Sequence, residues 1–252
     1  MPAAARVTLG VVGMAMLGGG FVLRLWVGLP GLLGAAIIGC GLLVLGYLPA
    51  VQANASRSAI TEFGSLALAV LVADLTSVPI PVFGLVVLLL FARKRLRRLV
   101  QAAQRRWLIL AISIAFCLAS VSGIALWSTG RAFWLATDIA IIGNVCDSVM
   151  WAILLVASAV NSIFEELLWR VRVAEQIEPH MPSGIGVALI ATTFGLAHWL
   201  ALPNGISGVL LTFVFSIASS LVIRALHGCI IPSVVAHIGA DLFLLSKVYG
   251  LW

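Results

Sequence analysis

The stretch Trp151-Ala152-Ile153-Leu154-Leu155-Val156-Ala157-Ser158-Ala159-Val160-Asn161-Ser162-Ile163-Phe164-Glu165-Glu166-Leu167-Leu168-Trp169-Arg170 decides how this chain folds. Its first part continues an apolar run from Ile139 to Val160, enough for the roughly 20 residues a helix needs to cross hydrocarbon. Two carboxylates and an arginine then arrive within the next ten positions, followed by Arg172, Glu175 and Glu178. A charged side chain at the centre of a membrane helix costs about 2.5–3.5 kcal/mol on insertion scales. The second half of this helix therefore cannot face lipid on all sides. It projects from the bilayer, or its polar face lines a protected, water-filled cavity.

Outward from this stretch, the rest of the chain is equally apolar. Of its 252 residues, 62% are hydrophobic and only 10% charged, and the mean hydropathy is +1.18. Backbone polar groups in lipid must be satisfied within the segment, which favours helices. The expected fold is all-α, a polytopic transmembrane bundle of about eight membrane helices, near 7–23, 29–49, 63–91, 107–127, 137–177, 185–202, 206–226 and 231–249. Residues 1–130 supply the N-terminal membrane helices and residues 131–252 the charged motifs, in one compact bundle. The third segment contains Pro79 and Pro81, which kink it or split off a short partial span. Pro179, Pro182 and Gly184 reverse the chain after the fifth, and Leu202-Pro203-Asn204-Gly205 and His227-Gly228 mark later turns. The first apolar run is read as retained membrane structure, since the small-residue site Ala53-Asn54-Ala55 lies beyond a second run, too far along for a signal peptide.

The net charge of +6 does not point to nucleic acid. Its densest part, Arg93-Lys94-Arg95 with Arg97, Arg98, Arg105 and Arg106, lies between apolar runs, where basic residues report topology and attraction to anionic lipid. Counting basic residues puts this loop inside and the amino terminus outside, provided the third segment crosses once. Cys40, Cys117, Cys146 and Cys229 are scattered without a Cys-x-x-Cys, and read as small buried hydrophobes.

Three clusters carry chemistry: Glu165-Glu166 with Arg170, Phe194 with His198, and His237 with Asp241. Glu166 and Arg170 form an i,i+4 pair with the acid first, the better orientation. Glu165 has Trp169 at i+4 and so no basic partner there, while Asn161, one turn earlier, is placed to hydrogen-bond it. A carboxylate without a cation, in low dielectric, suits general acid–base work. The turn between the fifth and sixth segments is centred between Met181 and Pro182, so Glu165 and His198 lie equally far from it. At equal rise along antiparallel helices they reach the same depth. Phe194 and His198 share a face, as do His237 and Asp241, and both histidines fall within apolar runs. His180 and His227 sit at turns, where solvation is a sufficient account.

These residues resemble the motifs of the CPBP family, the CAAX-protease and bacteriocin-processing intramembrane peptidases, which include the Ras-converting CAAX endopeptidases. The family motifs Glu-Glu-x-x-x-Arg, Phe-x-x-x-His and His-x-x-x-Asn (or Asp) stand here as Glu165 to Arg170, Phe194 to His198 and His237 to Asp241. The resemblance covers roughly residues 140–245 and implies an intramembrane glutamate-type endopeptidase. By motif position, Glu165 and His198 would activate water, and His237 and Asp241 would stabilise the oxyanion. Glu166 and Arg170 would hold the motif helix, with Phe194 and Trp169 at the substrate. The departure is Asp241, because an ionised carboxylate cannot donate to an oxyanion as asparagine does. It would serve if protonated, by orienting His237 and favouring its imidazolium form, or as a metal ligand.

His-Glu-x-x-His is absent. The expectation is no cofactor, with zinc held by Glu165, His198, His237 and Asp241 as the alternative. The implied partners are the lipid bilayer and a membrane-associated peptide or protein, not nucleic acid. Prenylated CAAX tails, bacteriocin leaders and C-terminal sorting tails remain open as substrates. A short, loop-poor chain points to a prokaryotic cell membrane. Competing readings are a non-catalytic peptide-binding or bacteriocin-immunity protein, and an ion- or proton-coupled transporter, which also uses buried carboxylates and histidines.

Overall fold

A computed structural model describes residues 3–26, 31–47, 57–76, 79–101, 106–128, 147–199 and 201–251. Every regular element among them is helical: α1 (Ala3–Trp26), α2 (Gly31–Tyr47), α3 (Arg57–Thr76), α4 (Ile80–Gln101), α5 (Arg106–Ser128) and α6 (Asp147–Glu165) come first. A π-helical segment (Glu166–Val173), α7 (Ala174–Ile177) and a 3-10 turn (Glu178–His180) continue the line of α6. Then follow α8 (Ser183–Ala197), α9 (Gly205–Ala225) and α10 (Ile231–Val248). Residues 129–146, including the beginning of the expected fifth segment and Cys146, lie outside the described residues.

The distribution of side chains is that of a protein solvated by lipid. Leu126 is 78% exposed, Leu90 72% and Ile206 68%, whereas Glu166 and Glu62 are 0% and 4% exposed. Apolar groups cover the outside because hydrocarbon costs them nothing, and charges stay inside because hydrocarbon would cost them heavily. The chain is an integral, multi-pass membrane protein. Among the described residues, five stretches are long and apolar enough to cross: Ala3–Gly20, Arg106–Leu126, Ser148–His180, Gly205–Ala225 and Ile231–Val248. Four apolar helices are shorter: Leu33–Gly46, Ala59–Ala73, Ile80–Phe91 and Gly184–Ala197.

Two departures from the expected segments bear on the site. The third segment is divided: α3 ends at Thr76 and α4 starts at Ile80, beside Pro79 and Pro81. Proline removes a helical donor and clashes with the preceding turn, so a clean division is the lower-energy outcome. An orientation reckoned from one undivided crossing therefore does not carry over. The sixth segment stops early as well. α8 ends at Ala197, and His198 caps it at φ −94°, ψ 9° instead of lying within a helix that continues to 202. Fifteen residues rise about 22 Å, short of the ~30 Å core. Irregular backbone at membrane depth is tolerated where it lines a cavity.

α1 packs on α2 and α8, α2 on α3, α3 on α4, and α4 on α6; α10 packs on both α5 and α6, and α8 on α9. The main apolar core joins Leu17, Ile38, Phe63 and Leu88 of the first four helices to Phe164, Leu167, Trp169, Ile190 and Phe194 of the motif helices. Across the same boundary runs a buried ion pair. Arg172 donates from both Nε and Nη2 to the two carboxylate oxygens of Glu62 on α3, and from Nη1 to Glu175. The Glu62 and Arg172 side chains are each 5% exposed. The sequence reading missed Glu62, although an acid one residue before Phe63 in an apolar helix meets the criterion that singled out Glu165.

Removing one partner of a buried pair strands the other charge, at about 3–5 kcal/mol, whereas replacing both by apolar groups is often neutral. Thermal unfolding of the detergent-solubilised protein should show Glu62→Leu and Arg172→Met each strongly destabilised. The double variant should recover most of the loss.

Candidate active site

Glu166, not the i,i+4 pair it forms, is the centre of the polar cluster. Its side chain is fully buried, and it accepts hydrogen bonds across to α10, from Ser233 Oγ at 2.5 Å and from His237 Nδ1 at 3.0 Å. Arg170 Nε stands 3.5 Å from the same carboxylate. The expected helix pair is present, but the stronger geometry ties the first motif to the third. All eight residues of the π-helical segment are buried. Short π stretches are uncommon and frequent at functional sites. Here the wider turn begins at Glu166, and Glu166 and Arg170, four apart within it, still meet.

Trp169, expected beside Glu165 and at the substrate, is 3% exposed within the apolar core, edge-on to Phe194 at 5.9 Å between centroids. It lines a separate cavity of about 230 Å³ with Ile190 and Ile223. Phe194 is the hub of the cluster. The Arg170 guanidinium lies 4.6 Å from its ring centroid, and the rings of His198 and His237 lie at 4.7 and 6.2 Å.

His237 is fixed from both sides. With Nδ1–H donated to Glu166, its Nε2 lies 3.5 Å from Glu165 Oε2 and 3.6 Å from Asp241 Oδ1. Glu165 Oε2 makes no hydrogen bond among the described residues. His198 Nδ1–H donates to the Phe194 carbonyl at 2.8 Å, which sets its tautomer and leaves Nε2 unprotonated in the neutral ring. Asn161 does not bond Glu165, as the sequence suggested; its Nδ2 donates to Asp241 Oδ2 at 2.9 Å, and Ser162 Oγ donates to the same oxygen at 3.2 Å. Asn161 was expected as a helper of Glu165. Its α10 partner was not legible, because helix register across 80 residues leaves no local signal.

Two cavities meet at this cluster. One, of about 770 Å³, is lined by Glu165, Asn161, His198 and Asp241, with apolar walls from Pro81, Val82, Ala157 and Leu245. The other, of about 280 Å³, lies among α5, α9 and α10 and is lined by Phe194, His198, His237 and Asp241 with Phe116 and Leu211. His198, Leu202, Asp241 and Leu244 belong to both walls. Among the described residues, no three His, Cys, Asp or Glu side chains are grouped so as to hold a metal ion.

The fold and site define a lipid-embedded helical bundle that gathers carboxylates and imidazoles on a cavity. Residues 147–243 match the family model described as type II CAAX prenyl endopeptidase Rce1-like. The segment runs from the start of α6 to Phe243 in α10 and so contains all three motifs. No curated protein and no solved structure matches the chain.

Gly195, inside the second motif, is small because α8 approaches α9 there. A Cβ on Gly195 would stand 2.8 Å from the Val209 carbonyl oxygen of α9, while one on Gly184 would meet nothing within 4 Å. Gly→Ala in a helix ordinarily stabilises by about 1 kcal/mol. Gly184→Ala should follow that rule, and Gly195→Ala should reverse it by pushing α8 from α9. Melting temperatures of the two variants, compared in one detergent, check this.

Proposed function

We propose that the chain is an intramembrane endopeptidase of glutamate type, cleaving a peptide bond in a lipid-anchored C-terminal tail of the CAAX kind. The observation that carries the reading is the convergence of Glu165, His198 and Asp241 on one cavity, with His237 behind them. Glu165 and His198 come from helices joined by a turn, at the matched depth a shared water requires. The family match at residues 147–243 supports the same reaction class.

In this reading a water sits between the Glu165 carboxylate, which lines the cavity, and His198 Nε2. Glu165 takes a proton from the water as its oxygen bonds to the scissile carbonyl carbon. The carbonyl electron pair moves onto oxygen, where His237 as imidazolium donates from Nε2. The tetrahedral carbon then collapses, the C–N bond breaks, and the proton held by Glu165 passes to the departing nitrogen. Glu166 and Ser233 hold His237 for this role and stay out of the cavity. The mechanism uses no metal. The second, mostly apolar cavity shares a wall with the first, which supports a substrate with both a peptide and an apolar part.

Glu165→Ala and His198→Ala are expected to abolish cleavage of a farnesylated CAAX reporter in proteoliposomes while the protein stays folded in the membrane. Glu165→Gln that still protects the reporter from other proteases, with wild type never cleaving it, would favour a binding protein. Wild-type rates in both alanine variants would end the peptidase reading.

A further inference from the structure

We propose that Asn161 is the second oxyanion donor of this site, supplying from α6 the amide that an aspartate at position 241 cannot. The inference rests on the peptidase reading and adds a residue to its catalytic set.

Asp241 Oδ2 already accepts two hydrogen bonds, from Asn161 Nδ2 and Ser162 Oγ, and Oδ1 lies 3.6 Å from His237 Nε2. Oδ2 thus accepts from two donors, the role of a carboxylate oxygen and not of a hydroxyl that donates. Asp241 is poorly placed to stabilise negative charge itself. It is well placed to aim Asn161, which does so in its stead.

An amide nitrogen carries two hydrogens, and Asp241 takes one of them. Asn161 also lines the 770 Å³ cavity with Glu165, one helical turn away on the same helix, and with His198. The second N–H is therefore available to an oxygen in the cavity. Ser162 differs in the decisive respect: it binds the same carboxylate oxygen but is fully buried and does not line the cavity. If Asn161 merely held Asp241, the two donors would be equivalent. If it touches the reacting oxygen, they are not.

The test is steady-state cleavage of a farnesylated, internally quenched CAAX peptide by the full chain in nanodiscs. Loss of one oxyanion donor lowers kcat about 10²–10³-fold, and Asn161→Ala should do so with KM nearly unchanged. Ser162→Ala should fall less than about tenfold, because only a support of Asp241 is removed. Asp241→Asn introduces an amide at 241, and on that background Asn161→Ala should lose most of its effect. Melting temperatures accompany each variant, so that an unfolded protein is not read as a catalytic loss. An Asn161→Ala kcat equal to wild type, with Glu165→Ala inactive, overturns the inference and leaves the peptidase reading standing. Equal losses for Asn161→Ala and Ser162→Ala, or the same Asn161→Ala loss on both backgrounds, also overturn it. Failure of wild type to cleave, or full activity of Glu165→Ala, removes the peptidase reading and this inference with it.

Discussion

The carboxylate of Glu166 is buried without access to solvent and satisfied by three groups, two of them on another helix. A bare carboxylate at that depth would be prohibitively costly, so the fold must deliver Ser233 and His237 to it. That requirement sets the register of α10 against the motif helix. Once the register is set, Asp241, one turn beyond His237, faces Asn161 and Ser162, and the cavity edge follows. The polar cluster thus specifies how the apolar helices slide against one another, a question that lipid-facing leucines leave open.

Much of this was legible in the chain because lipid makes polar residues conspicuous. Glu165, Glu166, Arg170, His198, His237 and Asp241 each stand out against apolar neighbours, and the matched distances of Glu165 and His198 from one turn indicated a common depth. Both residues line one cavity. Turn chemistry was equally readable: Pro79 and Pro81 flag a break, and His227, which adopts a positive φ of 52°, falls where His227-Gly228 marks a turn.

What stayed hidden depended on geometry between helices or on local departures from the α period. The π-helical turn after Glu165 is one such departure, and no residue in the sequence announces it. Asn161 was given the carboxylate nearest in sequence, whereas its partner lies 80 positions away. His198 was placed inside a helix because apolar residues continue to Leu202, yet the helix ends before it. Composition alone does not separate an apolar helix from an apolar loop that lines a cavity.

The buried link between Arg172 and Glu62 has a consequence for how the two halves of the chain diverge. The matched family segment, residues 147–243, contains the arginine but not its acid. A chimera that grafted this segment onto unrelated leading helices would keep the Arg172 contact to Glu175 but lose the two-pronged one to Glu62. The first helices are then more than a generic anchor: they complete the pairing of an arginine that the segment after them satisfies only in part.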